Sequence, residues 1–582
     1  MYASAATAER TGLSKIEQYR LRKADLFQER ASWIDQWRDI NRHLLPRTGR
    51  FLVNDGTQNK GDKRYNNIYD STATRAHGVL SAGLMSGATS PARPWFRLAT
   101  PDSDLMEFEP VKLWLHKVTT LMREIFNRSN TYRVLPMIYS ELGGYGTAAT
   151  FLLEDYDTVI HHYPMTIGEY AIATNPKGEV DTVVREINKT VAQIVAEYVR
   201  QPDGSLDWSR CSSTLKNMWD RHSYDKWIPI THIIEPRSVR ERDMRSKLAR
   251  DMPWASCHFE SNQTEDKMLR ESGYKRFPVL SPRWDVTGGD VYGDCPGMRA
   301  LGDIKQLQHQ QLRKAQGIDY MVRPPLQAPA SLKEQYGSQL PGGVTFHDMS
   351  SPNAKITPQW EVRLDLSHLR EDIQDVRNRL NEAFYADLFM MIANIDRTGV
   401  TAREIAEKHE EKLLMLGPVL ERLHGELLMR KIDITFDRML EVGIVPPPPE
   451  ELNGVDLNVE FVSVLAQAQR AVGIQSADRL IGTVASLAAA KGDPGVWDKV
   501  DTDQITDDYA DMLGVPPSWI VGDEKVAIVR QQRAQKQAAM EQAAVAQAGV
   551  ETAKTASEVD TSGDSMLTDL MNQFQGYSIP VR

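Results

Sequence analysis

The feature that most constrains this 582-residue chain is a pair of long helices separated by about forty residues rich in Pro, Gly and Ser. The first is predicted over 301–322 and ends before Pro324, since a proline disfavours helix in the residue before it. The second is predicted over 364–392, where apolar residues recur every three or four positions. At ~1.5 Å per residue the helices span about 33 and about 42 Å, so they can lie side by side. The sequence therefore predicts an antiparallel hairpin of two rods, joined by a small strand-and-turn unit over 323–363.

The second rod carries a narrow apolar stripe of the kind that packs helix on helix. Its members are Leu366, Leu369, Ile373, Val376, Leu380, Phe384 and Leu388. Two interpretations are open: the stripe is part of the core of one chain, or the rods pack sideways against identical copies in a ring. Because the two rods carry little apolar surface outside this one seam, the pattern favours packing in a ring.

The region before the rods, 1–300, is predicted to be α+β. Helical patterns lie at 14–45, 71–85, 110–127 and 131–142. Short apolar runs punctuated by turn residues predict an antiparallel sheet between 147 and 188. Further strand-like stretches are WIPITHIIEP, PWASCHFES and FPVLSPRWDV, with helical segments near 191–200 and 213–220 between them.

The region after the rods is predicted to be helical. A short break at 393–401 precedes a helix over 402–443, opened by a capping box from Thr401 to Glu404 and with a predicted kink at Gly417-Pro418. Shorter helices follow over 444–520. The last part, 521–582, begins with an Ala- and Gln-rich helix that has only a weak apolar face, and ends in a tail predicted to be mobile. Such a helix is marginal alone, so identical neighbours are expected to stabilise it.

Composition excludes several classes of protein. A formal net charge of −10 argues against tight, static nucleic-acid binding, which depends on Lys and Arg neutralising phosphates. Three widely separated cysteines, Cys211, Cys257 and Cys295, fit a reducing cytoplasm and form no zinc pair. No run approaches the ~18 apolar residues of a membrane span, and the first residues lack a signal core. We expect a soluble protein without cofactor or metal.

Catalytic patterns are weak. No G-x-x-x-x-G-K-[ST] phosphate loop is present, so an ATPase activity is not expected. Carboxylates and histidines gather at Glu154, Asp155, Asp157, His161 and His162, as metal ligands of a nuclease could. Neighbouring residues of a strand face opposite sides, however, so these five side chains should not converge, and a solvated sheet edge is the favoured interpretation. No catalytic residue is predicted.

Several short sequence motifs (called words below) along the chain resemble those of a known protein family. They are Trp37-Arg38-Asp39-Ile40, Leu45-Pro46, Tyr69-Asp70-Ser71-Thr72-Ala73, Leu80-Ser81-Ala82-Gly83-Leu84, Pro94-Trp95-Phe96, Gly144-Tyr145-Gly146-Thr147-Ala148, Gly302-Asp303-Ile304-Lys305-Gln306-Leu307 and Arg397-Thr398-Gly399-Val400-Thr401-Ala402-Arg403-Glu404-Ile405. In this order and spacing the chain resembles the portal proteins, or head-to-tail connectors, of short-tailed bacteriophages.

The resemblance implies a mainly helical α+β portal fold in a ring of usually twelve subunits. It implies the following parts: an α+β wing at 1–300, an antiparallel helical stem at 301–322 and 364–392, a small clip at 323–363, a tunnel loop at 393–401, a long kinked wing or crown helix at 402–443, a helical crown at 444–520, and a barrel-like C-terminal helix with its tail at 521–582.

The same resemblance implies sites and partners. The tunnel-loop residues that face DNA would be Asn394, Asp396, Arg397, Thr398 and Gly399. The residues that pack the stem would be Leu366, Leu369, Ile373, Val376, Leu380 and Phe384. The clip would dock the large terminase subunit and then a tail adaptor or head-completion protein, through Lys333, Glu334, Tyr336 and His347. Other implied partners are a major capsid or scaffolding protein and double-stranded DNA passing without sequence readout. The protein would be in the virion, and in the host cytoplasm during assembly, without membrane contact.

The charge of the chain suits a conduit, since a ring of acidic subunits repels phosphate and lets DNA slide. Arg397 either makes transient phosphate contacts or pairs with Asp396 or a neighbouring subunit. Gly399 lets the loop shift as DNA advances or forms a simple turn, and the two roles can hold together. Two other functions are weighed beside the portal: a metal-dependent phage nuclease, and an internal core or tail structural protein.

Overall fold

The computed structural model describes most of the first 322 residues and parts of the remainder. The described residues are 13–49, 51–52, 65–102, 105–106, 108–238, 242–243, 248–263, 265–322, 326–327, 357–358, 366–390, 416–452, 454–463, 465, 481–487, 489–490, 500, 504–505, 521 and 525–540.

Helix α1, Lys15–His43, begins at a capping box in which Ser14 and Glu17 satisfy each other's backbone N–H groups. Its first half packs Ile16, Tyr19 and Leu26 on a β-sheet, and its second half enters the main core through residues such as Trp37. One long helix therefore ties two hydrophobic clusters together, over the range that the sequence predicts.

Three further helices build the core beside α1. They are α2, Thr72–Ala88, α3, Glu109–Arg128, and α4, Thr131–Tyr145. Each lies within a few residues of its predicted range. The α4 helix ends at Gly146 in a left-handed conformation (φ 78°), which glycine adopts without strain.

The strands form antiparallel sheets. A three-stranded sheet has the order β3-β2-β9; its strands are β2 (Ala149–Asp155), β3 (Val159–Met165) and β9 (Val279–Leu280). A five-stranded sheet has its strands in sequence order: β4 (Tyr170–Thr174), β5 (Val180–Thr190), β6 (Trp227–Pro236), β7 (Trp254–Glu260) and β8 (Arg270–Tyr274). Strand β1 (Phe96–Ala99) pairs with β12 (Asn458–Phe461). The antiparallel prediction is confirmed, but one predicted sheet is in fact two.

Two strand predictions need correction. FPVLSPRWDV supplies only the two residues of β9, because Pro278 and Pro282 flank it and proline cannot donate to a sheet ladder. Strand β8 was not predicted, since its sequence RESGY has neither apolar alternation nor β-branched residues. It forms because β7 offers a complete edge for pairing.

Small elements connect these sheets to the rods. Helix α5, Val191–Ile194, continues into a π-helical turn, Val195–Val199, and α6 covers Ser213–Asp220; both lie near their predicted positions. The short helix α7, Pro296–Arg299, leads directly into α8, Leu301–Val322. Strands β10, Leu326–Gln327, and β11, Thr357–Pro358, pair antiparallel between the rods.

The second rod differs from its predicted extent. Helix α9 covers Leu366–Ala383, Tyr385 adopts a left-handed conformation (φ 53°), and helix resumes at 386–390. The single helix predicted over 364–392 is therefore interrupted. Periodicity could not reveal this, because Phe384 and Leu388 are buried on both sides of the bend and keep the apolar spacing intact.

The core element that follows the second rod is helical from 416, with a π-helical turn, His424–Met429, before α10, Arg430–Val442. It ends at Gly443 with φ 75°, where the sequence predicts the helix to stop. The predicted part at 402–415 lies outside the described residues.

Candidate stem hairpin and its anchors

The two rods run antiparallel and touch along their length. Arg379 of α9 binds Asp303 near the start of α8 at 3.1 Å, and Gln310 further along α8 donates to Asp372, which lies earlier in α9. Because the residue number rises in one helix as it falls in the other, the two helices are antiparallel. The hairpin predicted from the sequence is present.

The apolar stripe of α9 is buried within this one chain. Ile373, Val376, Leu380 and Phe384 belong to the main core cluster, and Leu369 packs on its margin. The side chain of Leu366 lies outside the described set. The seam is thus closed by the chain's own helices, so it is not the unsatisfied surface that the sequence interpretation assigns to neighbouring copies. Any contact between copies must use other faces of the rods.

A buried carboxylate, Asp70, fixes the rods to the body. Its Oδ2 accepts hydrogen bonds from Arg377 Nη2 and Gln311 Nε2, both at 2.8 Å, and so contacts both rods. Its Oδ1 accepts from the backbone N and the hydroxyl of Thr72 at 2.9 and 2.6 Å. Burial alone would raise the pKa of Asp70, but the hydrogen bonds from Thr72 and Arg377 outweigh it and hold the pKa below its usual value.

Gln308 completes the same anchor from α8. Its Oε1 accepts from the backbone N–H groups of Tyr69 and Asp70 at 2.6 and 2.9 Å, and its Nε2 donates to the carbonyl of Asp70 at 2.9 Å. The hairpin therefore holds the segment Tyr69-Asp70-Ser71-Thr72-Ala73 in two ways: Gln308 binds its backbone, and Gln311 and Arg377 bind the Asp70 side chain.

Glycines allow close backbone contact at the base of the hairpin. A Cβ on Gly297 would lie 2.6 Å from the carbonyl oxygen of Gly144, and one on Gly146 would lie 2.0 Å from that of Gly293. The Gly293 N–H donates to Thr147 Oγ1 at 3.0 Å. The word Gly144-Tyr145-Gly146-Thr147-Ala148 thus positions the segment that leads into α8.

Helix α2 holds the bend of the second rod. The Cα of Gly83 faces Phe389 so closely that a Cβ would come within 2.1 Å of that ring, and His77 meets Phe384 edge-on with centroids 5.8 Å apart. The small residues of Leu80-Ser81-Ala82-Gly83-Leu84 make this approach possible.

A second buried charge-bearing group lies in α10. Lys431 is 0% exposed, its Nζ is 4.2 Å from the ring centroid of Phe126 and 5.8 Å from that of Trp95, and no hydrogen-bond partner for it exists among the described residues. Burial lowers the pKa of Lys431 well below its ordinary value. His162 is also buried, and neither of its ring nitrogens has a hydrogen-bond partner in the described part of the chain; burial, followed by the charge of Lys431, lowers its pKa strongly. We call these four side chains the aromatic cage.

The end of α8 projects from the body. Residues 318–322 are all exposed, including Tyr320, Met321 and Val322, the last at 72%. This end carries β10 and thus lies at the start of the predicted clip.

Many predicted site residues lie outside the described part of the chain. They are the tunnel-loop residues Asn394, Asp396, Arg397, Thr398 and Gly399, and the clip residues Lys333, Glu334, Tyr336 and His347. Sequence reasoning, in turn, missed Asp70, Gln308 and Arg377 as anchors. The family words include Asp70 but give no hint of its partners.

The proposed nuclease ligands do not converge. Glu154 binds Arg438 at 2.9 Å, His161 is 3.1 Å from the Asn130 amide, and His162 is buried. No group of three or more His, Cys, Asp or Glu side chains suited to a metal was found within the described ranges. Within those ranges, too, none of the helices combines the length and apolarity needed to cross a bilayer.

Comparison with known proteins gives consistent results. Residues 17–521 match the family model described as bacteriophage head to tail connecting protein. The chain is 51% identical over 557 residues to the probable portal protein of Bordetella phage BPP-1, covering 96% of this chain and 98% of that protein. It is 44% identical to the portal protein of Salmonella phage epsilon15, covering 96% and 99%.

Solved structures show only a weak likeness. The neck of an empty GTA particle is similar over 77% of this chain and 94% of that chain, with 12% identity and a TM-score of 0.31. The neck of a native GTA particle covers 77% and 92%, also with 12% identity and a TM-score of 0.31.

Proposed function

Because this chain belongs to the bacteriophage head-to-tail connecting family and is a portal protein, we propose that its copies form a ring-shaped channel for double-stranded DNA at one capsid vertex. The observation that carries the proposal is sequence identity of 51% and 44% over nearly the whole chain to proteins of that name. Portal proteins are structural connectors of the virion, and DNA packaging and ejection are the tasks assigned here to this one.

The anchored hairpin supports a role as the channel wall. Its seam is closed internally, and its base is tied to the body at Asp70. The outer faces of both rods are polar and charged; exposed members are Lys305, Gln306, His309, Arg313, Arg370, Glu371, Asp372 and Asp375. Such faces suit polar contact with a neighbouring copy or a hydrated lumen better than apolar packing.

The remaining parts are assigned by position. Residues 1–300 form the wing, 301–322 and 364–392 the stem, 323–363 the clip, 393–401 the tunnel loop, 402–443 the long wing or crown helix, 444–520 the crown and 521–582 the C-terminal extension. The exposed apolar end of α8 supports docking at the clip, since Tyr320, Met321 and Val322 lead directly into it.

The helix at 525–540 supports assembly through identical copies. All of its residues except Val526 are exposed, including Ile528, Val529 and Met540, and Lys525 reaches Glu109 at 2.7 Å. An isolated helix of this length is marginal in water. Neighbouring copies of the same helix would supply the missing contacts.

The partners follow from the task. The clip residues Lys333, Glu334, Tyr336 and His347 would contact the large terminase subunit during packaging and the tail adaptor or head-completion protein afterwards. A major capsid or scaffolding protein would hold the ring, usually of twelve copies, at its vertex. Assembly would take place in the host cytoplasm, and DNA would pass the acidic channel without sequence readout.

Electron microscopy of the purified full-length protein tests the ring. We expect closed rings with a central hole, and a monodisperse monomer under every assembly condition would overturn the proposal. Deletion of 394–399 tests the tunnel loop separately. We expect rings to remain while DNA packaging or retention fails; loss of rings instead would show that the loop is structural.

A further inference from the structure

A row of basic and imidazole side chains crosses the five-stranded sheet. Arg185 of β5 stands opposite His232 of β6, His232 opposite His258 of β7, and His258 opposite Arg270 of the edge strand β8. Alternating residues share a face, so these four side chains lie on one side of the sheet. The neighbouring residues on the other side, such as Ile233, pack against α1.

The inner part of the row is tightly ordered. Arg185 Nε donates to His232 Nδ1 at 3.1 Å, and its guanidinium lies 4.2 Å from the ring centroid of Phe151. The rings of His232 and His258 are stacked with centroids 3.9 Å apart and planes 12° apart. Ser256 Oγ lies 3.0 Å from His232 Nε2 and fixes the other side of that ring. The guanidinium and both imidazoles therefore have defined positions before any ligand binds.

Three cationic side chains surround His258, and the nearest carboxylates that act on Arg185 are those of Glu169 and Glu197. Burial, followed by the charges of Arg185, Arg270 and Lys189, lowers the pKa of His258 to about 3. Lys189 pairs with Glu197, whereas neither Arg185 nor Arg270 has a carboxylate within 4.0 Å among the described residues. The buried Nδ1 of His258 likewise has no hydrogen-bond partner there. Apart from the bond from Arg185 Nε to His232 Nδ1, the structure gives the two guanidinium groups no side-chain acceptor among the described residues.

We propose that this row is a binding site for a phosphate group, held by Arg185 and Arg270 beside the His258 ring. Guanidinium groups match the oxygens of phosphate in geometry and charge, and a neutral imidazole N–H can donate to a third oxygen. Access is through the sheet edge, since Arg270 is exposed and His258 only half-buried. The phosphate can come from a nucleic-acid backbone or from free phosphate.

The site is tested on the full-length protein by its thermal unfolding midpoint in sodium phosphate and in sodium chloride at equal pH and ionic strength. We expect phosphate to raise the midpoint in a saturable way. Arg270→Gln should raise the half-saturating phosphate concentration roughly ten-fold or more, since it removes a charge-assisted contact. Arg185→Gln together with Arg270→Gln should abolish the response. Arg221→Gln, at an exposed arginine directly after α6, should respond as the wild type does.

Equal phosphate responses of Arg270→Gln and the wild type would overturn the proposal, and this single exposed substitution decides the matter even if Arg185→Gln does not fold. Binding of a fluorescent 20-base-pair duplex identifies the source. Duplex affinity that falls with Arg270→Gln but not with Arg221→Gln assigns the site to nucleic acid, whereas unchanged duplex binding with a lost phosphate response assigns it to free phosphate. We expect the same variants to form rings, so that loss of the phosphate response can be distinguished from failure of the proposed portal assembly.

Discussion

The hairpin anchor and the aromatic cage both bury a group that is charged in water, but they treat it in opposite ways. Asp70 receives hydrogen bonds from Thr72, Gln311 and Arg377, so its charge is compensated where it lies. Lys431 lies over two aromatic rings, and its amine has no hydrogen-bond partner among the described residues. A buried charge stabilises a fold only where partners replace the lost water. The first site should therefore hold the protein together, and the second should weaken it.

The largest effect should follow from placing new charges where no partner exists. Ile373→Asp with Leu380→Asp puts two carboxylates into the buried stem seam, which costs several kcal/mol for each unpaired group. We expect loss of the hairpin, and with it of ring assembly, in electron micrographs. The matched control is Gln374→Asp with Asn378→Asp on the exposed face of the same helix. Normal rings from the seam variant would contradict the stem assignment.

The second-largest effect should follow from removing the Asp70 carboxylate, whose charge is compensated by hydrogen bonds. Asp70→Ala leaves Arg377 and Gln311 without their shared acceptor, and we expect the free energy of unfolding to fall by roughly 2–4 kcal/mol in denaturant titrations. Asp35→Ala, an exposed aspartate on α1, serves as the control and should change stability by less than about 0.5 kcal/mol. A similar small loss for Asp70→Ala would show that the anchor contributes little.

Removal of the uncompensated charge should have the opposite sign. Lys431→Met keeps the volume of the side chain inside the aromatic cage and removes its amine, so we expect a gain of roughly 1–3 kcal/mol. The same substitution at the exposed Lys216 should be nearly neutral. Destabilisation by Lys431→Met would mean that the cage satisfies the amine after all.

The smallest effect is on the dependence of stability on pH. The pKa of Lys431 is lower in the folded than in the unfolded protein, so the unfolded chain binds more protons and stability rises with pH up to the unfolded value of about 10.4. Asp70, whose folded pKa is also lowered, loses its contribution only as pH falls below about 3.9. In unfolding experiments across pH, Lys431→Met should flatten the alkaline rise and leave the acid loss unchanged. An unaltered alkaline slope would count against a neutral buried amine.

Local patterns in the sequence predicted the rods well, because helix length, proline stops and apolar spacing are local properties. The bounds of α8 coincide with the predicted helix, and the antiparallel arrangement follows from two rods of similar length. The same patterns could not locate the bend at Tyr385, since the apolar spacing continues across it. They also left open which surface covers the seam, and the structure describes the chain's own core in that place.

Contacts between distant residues were beyond such patterns. Asp70 meets Gln308 and Arg377 across 238 and 307 residues of chain. Lys431 is a different case, because the sequence pattern of its own helix indicates its burial. It lies one turn before Thr435, within the apolar face that also contains Ile432 and Met439. A lysine at such a position indicates an unusual buried amine. The tunnel-loop and clip residues remain predictions.

The residues that complete the anchor at Asp70 leave the ribosome at different times. Gln308 and Gln311 emerge well before Arg377, so the first rod can dock on the folded N-terminal region while one carboxylate oxygen still lacks its guanidinium. Only when the second rod has been translated does the salt bridge close. A nascent chain that stalls between the two rods would therefore hold its first rod at Asp70 through glutamine side chains alone.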